Sequence, residues 1–291
     1  SAIALLTALS GVFISLAIGG WPAFQKFGFH FFTTTTWNPV TGVFGAAGPI
    51  VGTLISAFLA LLIALPVAFG VAVFLVEFCP RSLRSPIGMA IELLAGIPSI
   101  VYGMWGLFVL APWFAMNVQL PLMTMAPAGS WLEAWTTGIP NGANVFTASL
   151  ILAIMILPYM AAVLRDLLLT VPVAVRESAY GLGATPSEVV FDVSLPYVRS
   201  GAIGAVMLGL GRALGETMAV TFIIGNSFRI QSSIFAPGTT ISAAIASEFA
   251  ESDGLHQSGL ILLGLLLFVL TFIVLACARL MLLRLEMKAG K

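Results

Sequence analysis

The sequence predicts an all-α polytopic membrane protein with six transmembrane helices. Three observations carry that reading: 59% of the 291 residues are hydrophobic, only 8% are charged, and the apolar residues gather into six runs near the length of a bilayer crossing. Soluble chains carry about 25% charged residues. Twelve basic and twelve acidic side chains cannot clothe a water-facing surface of this size, so lipid is the solvent the chain is built for.

A hydrocarbon core about 30 Å thick takes roughly 20 helical residues, because every backbone N–H and C=O must be paired inside the span. The runs fall at about 2–20, 49–77, 87–115, 144–164, 201–225 and 258–284. The first lacks a basic leader and a clear cleavage site, so it reads as a retained anchor helix, and the start at Ser1 reads as a trimmed terminus. Arg81 and Arg84 lie between runs two and three, Arg165, Arg176 and Arg199 between four and five, and Arg279, Arg284, Lys288 and Lys291 at the end of six. Lys26 and Arg229 stand alone on the other side. Basic residues mark the cytoplasmic loops, so both termini are expected inside and three loops outside. Trp21, Trp37, Trp113, Trp131 and Trp135, near the outer run ends, read mostly as interfacial anchors.

Several chemistries are excluded. A net charge of zero argues against a nucleic-acid partner. Cys79 and Cys277 form no CxxC pattern, and His30 and His256 read as solvated residues of outer loops, so neither a metal site nor a catalytic residue is predicted. There is no GxxxxGK[ST] phosphate loop, so any ATP must be hydrolysed by another subunit. The chain reads as one transmembrane domain over 1–291 with a structured loop at 165–200 inside it.

That loop carries its own secondary structure, which marks a connection of this length as functional. Pro172 opens a short helix through Arg176, Glu177, Ser178, Ala179 and Tyr180, and Gly181 or Gly183 stops it. Thr185-Pro186-Ser187-Glu188 then reads as a capping box opening a second helix that Leu195-Pro196 closes. A helix, glycine turn and helix on the inner face is a surface that a partner can grip or that lipid headgroups can hold, and spacing alone leaves both readings open.

Run five holds Gly209-Leu-Gly211-Arg212-Ala-Leu-Gly215-Glu216-Thr217. Arg212, eleven residues beyond Gly201, lies about 17 Å along a helix and hence near mid-bilayer. A charge facing lipid there costs from about 3 to more than ~10 kcal/mol, so it needs a partner or a watery path. At about 100° per residue, Gly204, Ala205, Gly209, Gly211, Gly215 and Ala219 share one half of the helix with Arg212 and Glu216. Glu92, Gly96, Ser99, Gly103 and Gly106 form a second stripe in run three, with Tyr102 at its edge and Pro98 as a kink. Arg212 and Glu216 read either as an i, i+4 ion pair that locks the bundle or as a site where the guanidinium meets an oxyanion. Glu92 is open between gate, partner and structural roles.

Two sets of residues resemble known proteins. Glu177, Ala179, Gly183, Val193, Leu195 and Pro196 match the spacing of the EAA loop of ABC importer permeases, with Ser178 in place of the middle Ala and Val193 in place of Ile. The strings Ile91 to Gly106, Glu177 to Gly183 and Leu208 to Asn226 resemble the PstC-type permeases of bacterial phosphate ABC importers, which have a type I, MetI-like architecture. The resemblance implies a multi-pass protein of the bacterial inner membrane that pairs with a PstA-type sister permease, two ATP-binding subunits and a phosphate-binding protein. ATP and Mg would sit on those partners, and this chain would bind no cofactor. It also implies a phosphate path using Arg212, Glu216, Thr217, Ser99, Tyr102, Glu92 and Asn226, and coupling to the ATPase through Glu177, Ser178, Ala179, Tyr180, Gly181, Gly183 and Ala184.

Overall fold

The structure, a computed structural model, describes residues 2–127, 129–136 and 138–289. Ser1, Lys291 and the side chains of Arg81, Trp131, Arg284 and Lys288 lie outside the described residues, together with the readings that rest on them. Among the described residues, helices long and apolar enough to cross a membrane run at Ile3–Phe27, Ala47–Phe78, Ser99–Met125, Val145–Leu169, Pro186–Leu214 and Gly254–Leu280. These are spans one to six. Span one leaves Leu5, Leu6, Ile14 and Ile18 exposed, as a lipid-facing helix requires.

Two expected runs are redrawn. Run three is broken: one helix ends at Ala95, and span three begins at Ser99 after a bend at 96–98. Pro98 has no N–H to donate and biases Ile97 away from helical backbone, so it ends the helix where a kink was expected. Glu92 therefore shares no helix with Ser99, Gly103 and Gly106.

Run five is shifted. Pro196 does not close the second loop helix, which continues from Pro186 to Leu214 as span five. The reason lies one turn earlier, where Val189–Ser194 is a π-helical segment. Its wider turn leaves room for the Pro196 ring and absorbs the missing donor. At the other end the helix stops at Leu214, and 215–217 is non-helical before a single turn at Met218–Thr221. Irregular backbone within an apolar stretch has to be covered by protein. Ala219, Val220, Ile223 and Ile224 are buried accordingly.

Backbone contacts divide the chain into two units. The first comprises Ser1–Ala57, Ser99–Leu152 and Leu214–Ile273. Its core gathers Phe31, Phe44, Ile241, Leu260 and Leu263. Ser258 ties span six to span one, its hydroxyl donating to the Gly19 carbonyl at 2.9 Å and accepting from the Ala23 N–H at 3.1 Å. Gln119 is buried and clips the following loop, its Nε2 donating to the Ile139 carbonyl at 3.0 Å while its Oε1 accepts from the Gly142 N–H at 3.2 Å.

Trp37 and His256 depart from their expected roles as interfacial anchor and solvated loop residue. The Trp37 ring stacks on Phe228 at 4.9 Å and its Nε1 donates to Glu248 at 2.6 Å. His256 Nε2 lies 2.8 Å from the same carboxylate, with its ring stacked on Phe44. Partly buried rings of this kind need a polar partner for their N–H groups, and one acidic residue serves both. Trp21, Trp113 and Trp135 are exposed, as anchors are.

The second unit comprises Phe58–Pro98, Ala153–Ala213 and Val274–Lys291. Here Arg165 pairs with Glu92 and Asp166, each at 2.7 Å. Phe69 of span two meets Phe191 of the π-helical segment at 6.0 Å.

Candidate functional site

The 165–200 loop forms its first helix and its capping box as expected, although Leu195-Pro196 does not end the second helix. Its first helix is Val173–Gly181, which we call the elbow helix. It ends on Gly183, whose φ of +89° places it in the left-handed region where a side chain is strained. The Ala184 N–H donates to the Ala179 carbonyl at 3.1 Å and the Gly183 N–H to the Tyr180 carbonyl at 2.9 Å, which closes a Schellman turn. Thr185 and Glu188 then complete the capping box in both directions, the Thr185 N–H reaching Glu188 Oε2 at 2.7 Å and the Glu188 N–H reaching Thr185 Oγ1 at 3.4 Å. Glu177, Ser178, Gly181 and Gly183 are exposed, and Ala179 and Ala184 are half-buried.

Sequence reasoning missed the group that holds this loop. Glu77, at the end of span two, accepts from Arg176 Nη1 on Oε1 at 3.2 Å and from the Tyr180 hydroxyl on Oε2 at 3.1 Å. Its side chain is only 9% exposed. Burial raises the pKa of the Tyr180 phenol, and the neighbouring Glu77 charge and hydrogen bond raise it further. The available signal was an acidic residue closing a long apolar run.

Arg212 lies in the last turn of span five with its side chain exposed. The helix ends two residues later, so the expected i, i+4 geometry with Glu216 is absent. Among the described residues no ion pair holds Arg212. Glu216 instead caps the next turn, its Oε1 accepting from the Ala219 N–H at 3.2 Å while its carbonyl accepts from the Ser242 hydroxyl at 2.6 Å. Thr217 Oγ1 donates to the Gly215 carbonyl at 3.3 Å. The expected small-residue face is also broken up, with Gly209 buried and Gly215 exposed.

Within the first unit, the helix Ser99–Trp105 packs against the turn Met218–Thr221. Gly103 makes that approach possible, since a Cβ there would lie 3.0 Å from Ala219 Cα. Ser99 and Tyr102 thus come beside the segment that follows Thr217, both half-buried. Asn226 is exposed at φ +50°, a backbone region that Asn tolerates better than most residues, and it turns the chain out of this segment. Glu92 is brought to Arg165 instead, with its own side chain 55% exposed.

No family model matches the chain. Over 291 residues it is 55% identical to the phosphate transport system permease protein PstC of Mesorhizobium japonicum, spanning 100% of this chain and 89% of that protein. It is 52% identical to PstC of Pasteurella multocida across 100% of this chain and 91% of the relative. It is 39% identical to PstC 1 of Mycobacterium tuberculosis over 87% of this chain and 81% of the relative. Among solved structures, an inward-facing conformation of the MetNI methionine ABC transporter matches with a TM-score of 0.52 at 18% identity, covering 81% of this chain and 93% of that one. At that identity the likeness is one of fold.

Proposed function

The chain belongs to the PstC family of phosphate transport permeases, and on that premise we propose how its residues serve phosphate import. It is a multi-pass permease subunit of an ATP-driven importer that moves inorganic phosphate into the cytoplasm. The carrying observation is Arg212, a guanidinium at the end of a membrane helix that no described side chain neutralises. An unpaired intramembrane cation is costly unless its partner is a travelling anion, and guanidinium geometry matches a tetrahedral oxyanion. Phosphate at neutral pH still carries an O–H that donates a hydrogen bond to a carboxylate such as Glu216, whereas sulfate carries none. Ser99, Tyr102, Thr217 and Asn226 are assigned to the substrate path on the family resemblance, and Glu92 to a latch with Arg165.

The 165–200 loop faces the cytoplasm, as its basic flanks favour. Its exposed residues Glu177, Ser178, Gly181 and Gly183, with Ala179, Tyr180 and Ala184, form the grip for a separate ATPase subunit. A sister permease of the PstA type completes the membrane part, and a phosphate-binding protein delivers substrate from outside. ATP and Mg are held by the ATPase pair. Proteoliposomes holding the full complex accumulate phosphate only when supplied with ATP. Accumulation or leak of phosphate through the permeases without ATPase subunits would instead identify an ATP-independent transporter or channel.

A further inference from the structure

The elbow helix is held by more than apolar packing. It is nine residues long and none of them is buried. Helices this short are marginal alone, and this one lacks an apolar face sealed against the protein. Its Ala174, Val175, Glu177 and Ser178 are exposed, and Leu182 just beyond is 91% exposed. It lies against the π-helical segment Val189–Ser194, and its side chains Arg176 and Tyr180 tie it to span two through the Glu77 carboxylate.

Arg176 and Tyr180 are four residues apart, so they share one face of the elbow helix. Each reaches a different oxygen of the same carboxylate. Two bonds one turn apart onto one planar group fix both the position of the helix and its rotation about its own axis. A single bond leaves that rotation free.

The carboxylate is itself firmly placed. Glu77 lies in the π-helical segment Phe74–Phe78 that ends span two, closed by a 2.8 Å bond from the Cys79 N–H to the Phe74 carbonyl. Arg84 Nη2 donates at 2.7 Å to the Val76 carbonyl, one of the acceptors a helix end leaves without an internal partner. π-helical turns are rare, and those inside α-helices are frequent at functional sites. A charge this shielded is retained only with its partners, and here both partners come from the elbow helix.

We propose that Glu77 is the positioning residue of the coupling loop. Its carboxylate sets the rotation of the elbow helix, selects which residues that helix presents to the ATPase subunit, and carries the displacement of the elbow into span two. The proposal rests on the coupling role given to the 165–200 loop above, which the same experiment tests separately.

The test uses the whole complex, co-expressed with its sister permease and ATPase subunits, purified and reconstituted with the binding protein. Phosphate moved per ATP hydrolysed is measured for the wild type, Glu77→Gln and Tyr180→Phe. The ratio falls about tenfold in Glu77→Gln, where the charge is lost, and about threefold in Tyr180→Phe, where one hydrogen bond is lost. Hydrogen exchange across Val173–Gly181 rises in the same order. A purely stabilising role lowers the yield of intact complex and leaves phosphate per ATP at the wild-type value in what assembles, and that result overturns the proposal. Should Glu77→Gln fail to assemble, a wild-type ratio in Tyr180→Phe overturns it equally. Failure of the wild-type chain to retain ATPase subunits strikes the coupling role of the loop instead.

Discussion

Arg165 and Glu92 are joined at 2.7 Å although they lie 73 residues apart in sequence. The bond fastens the helix Arg81–Ala95 to the end of span four. Arg165 is 13% exposed and Glu92 55%, and the shared Asp166 carboxylate keeps the cation paired if Glu92 is lost. Glu92→Gln is therefore expected to cost only about 0.5 kcal/mol in unfolding free energy, as exposed pairs do. Arg165→Gln, which strands both acids, costs more. Denaturant unfolding of the two variants in detergent checks the order, and an equal or reversed order contradicts the latch.

The turn between the two loop helices is the next test. Gly183→Ala forces a side chain into left-handed backbone at φ +89° and is expected to cost about 1–2 kcal/mol. Thr185→Ala removes the oxygen that caps Pro186–Glu188 and costs about 1 kcal/mol. Both losses are local, so hydrogen exchange should quicken across 173–194 and stay unchanged in span four. Uniform quickening would contradict an independently capped loop.

A pH titration reads the elbow from a different side. Burial and the Glu77 charge raise the Tyr180 phenol above its ordinary value of 10.0 in the folded state. The neutral phenol is therefore favoured by folding. Its contribution is complete below pH 10.0, the unfolded value, and is lost as pH rises through the higher folded value. The ultraviolet difference between wild type and Tyr180→Phe should titrate above 10.0 in the native protein and shift down on unfolding. Titration at or below 10.0 in the native state contradicts the Glu77 contact.

How legible these features were follows the range of the forces involved. Apolar runs announce lipid contact directly, so four of the six spans fall within a few residues of expectation at one end at least. The capping box at Thr185 and a glycine stop at Gly181 or Gly183 were legible because each is decided within five residues of chain. Pro196 misled because its usual role as a helix stop assumes α-helical spacing, and the π-helical segment Val189–Ser194 removes that premise. The end of span five was hidden because hydropathy cannot distinguish a helix continuing through lipid from buried irregular backbone, and Ala219 to Ile224 are apolar either way. Glu77 and Arg176 lie 99 residues apart, and Trp37 and Glu248 lie 211 apart, so neither pair leaves a local pattern.

The most direct measurement is ATP-driven uptake of labelled phosphate by proteoliposomes carrying the whole complex with Arg212→Gln. The account predicts that the complex still assembles and hydrolyses ATP while uptake falls at least about tenfold, since a charge-assisted contact to the moving anion is gone. Wild-type uptake in the same vesicles would show that the exposed guanidinium at the end of span five has no part in carrying phosphate.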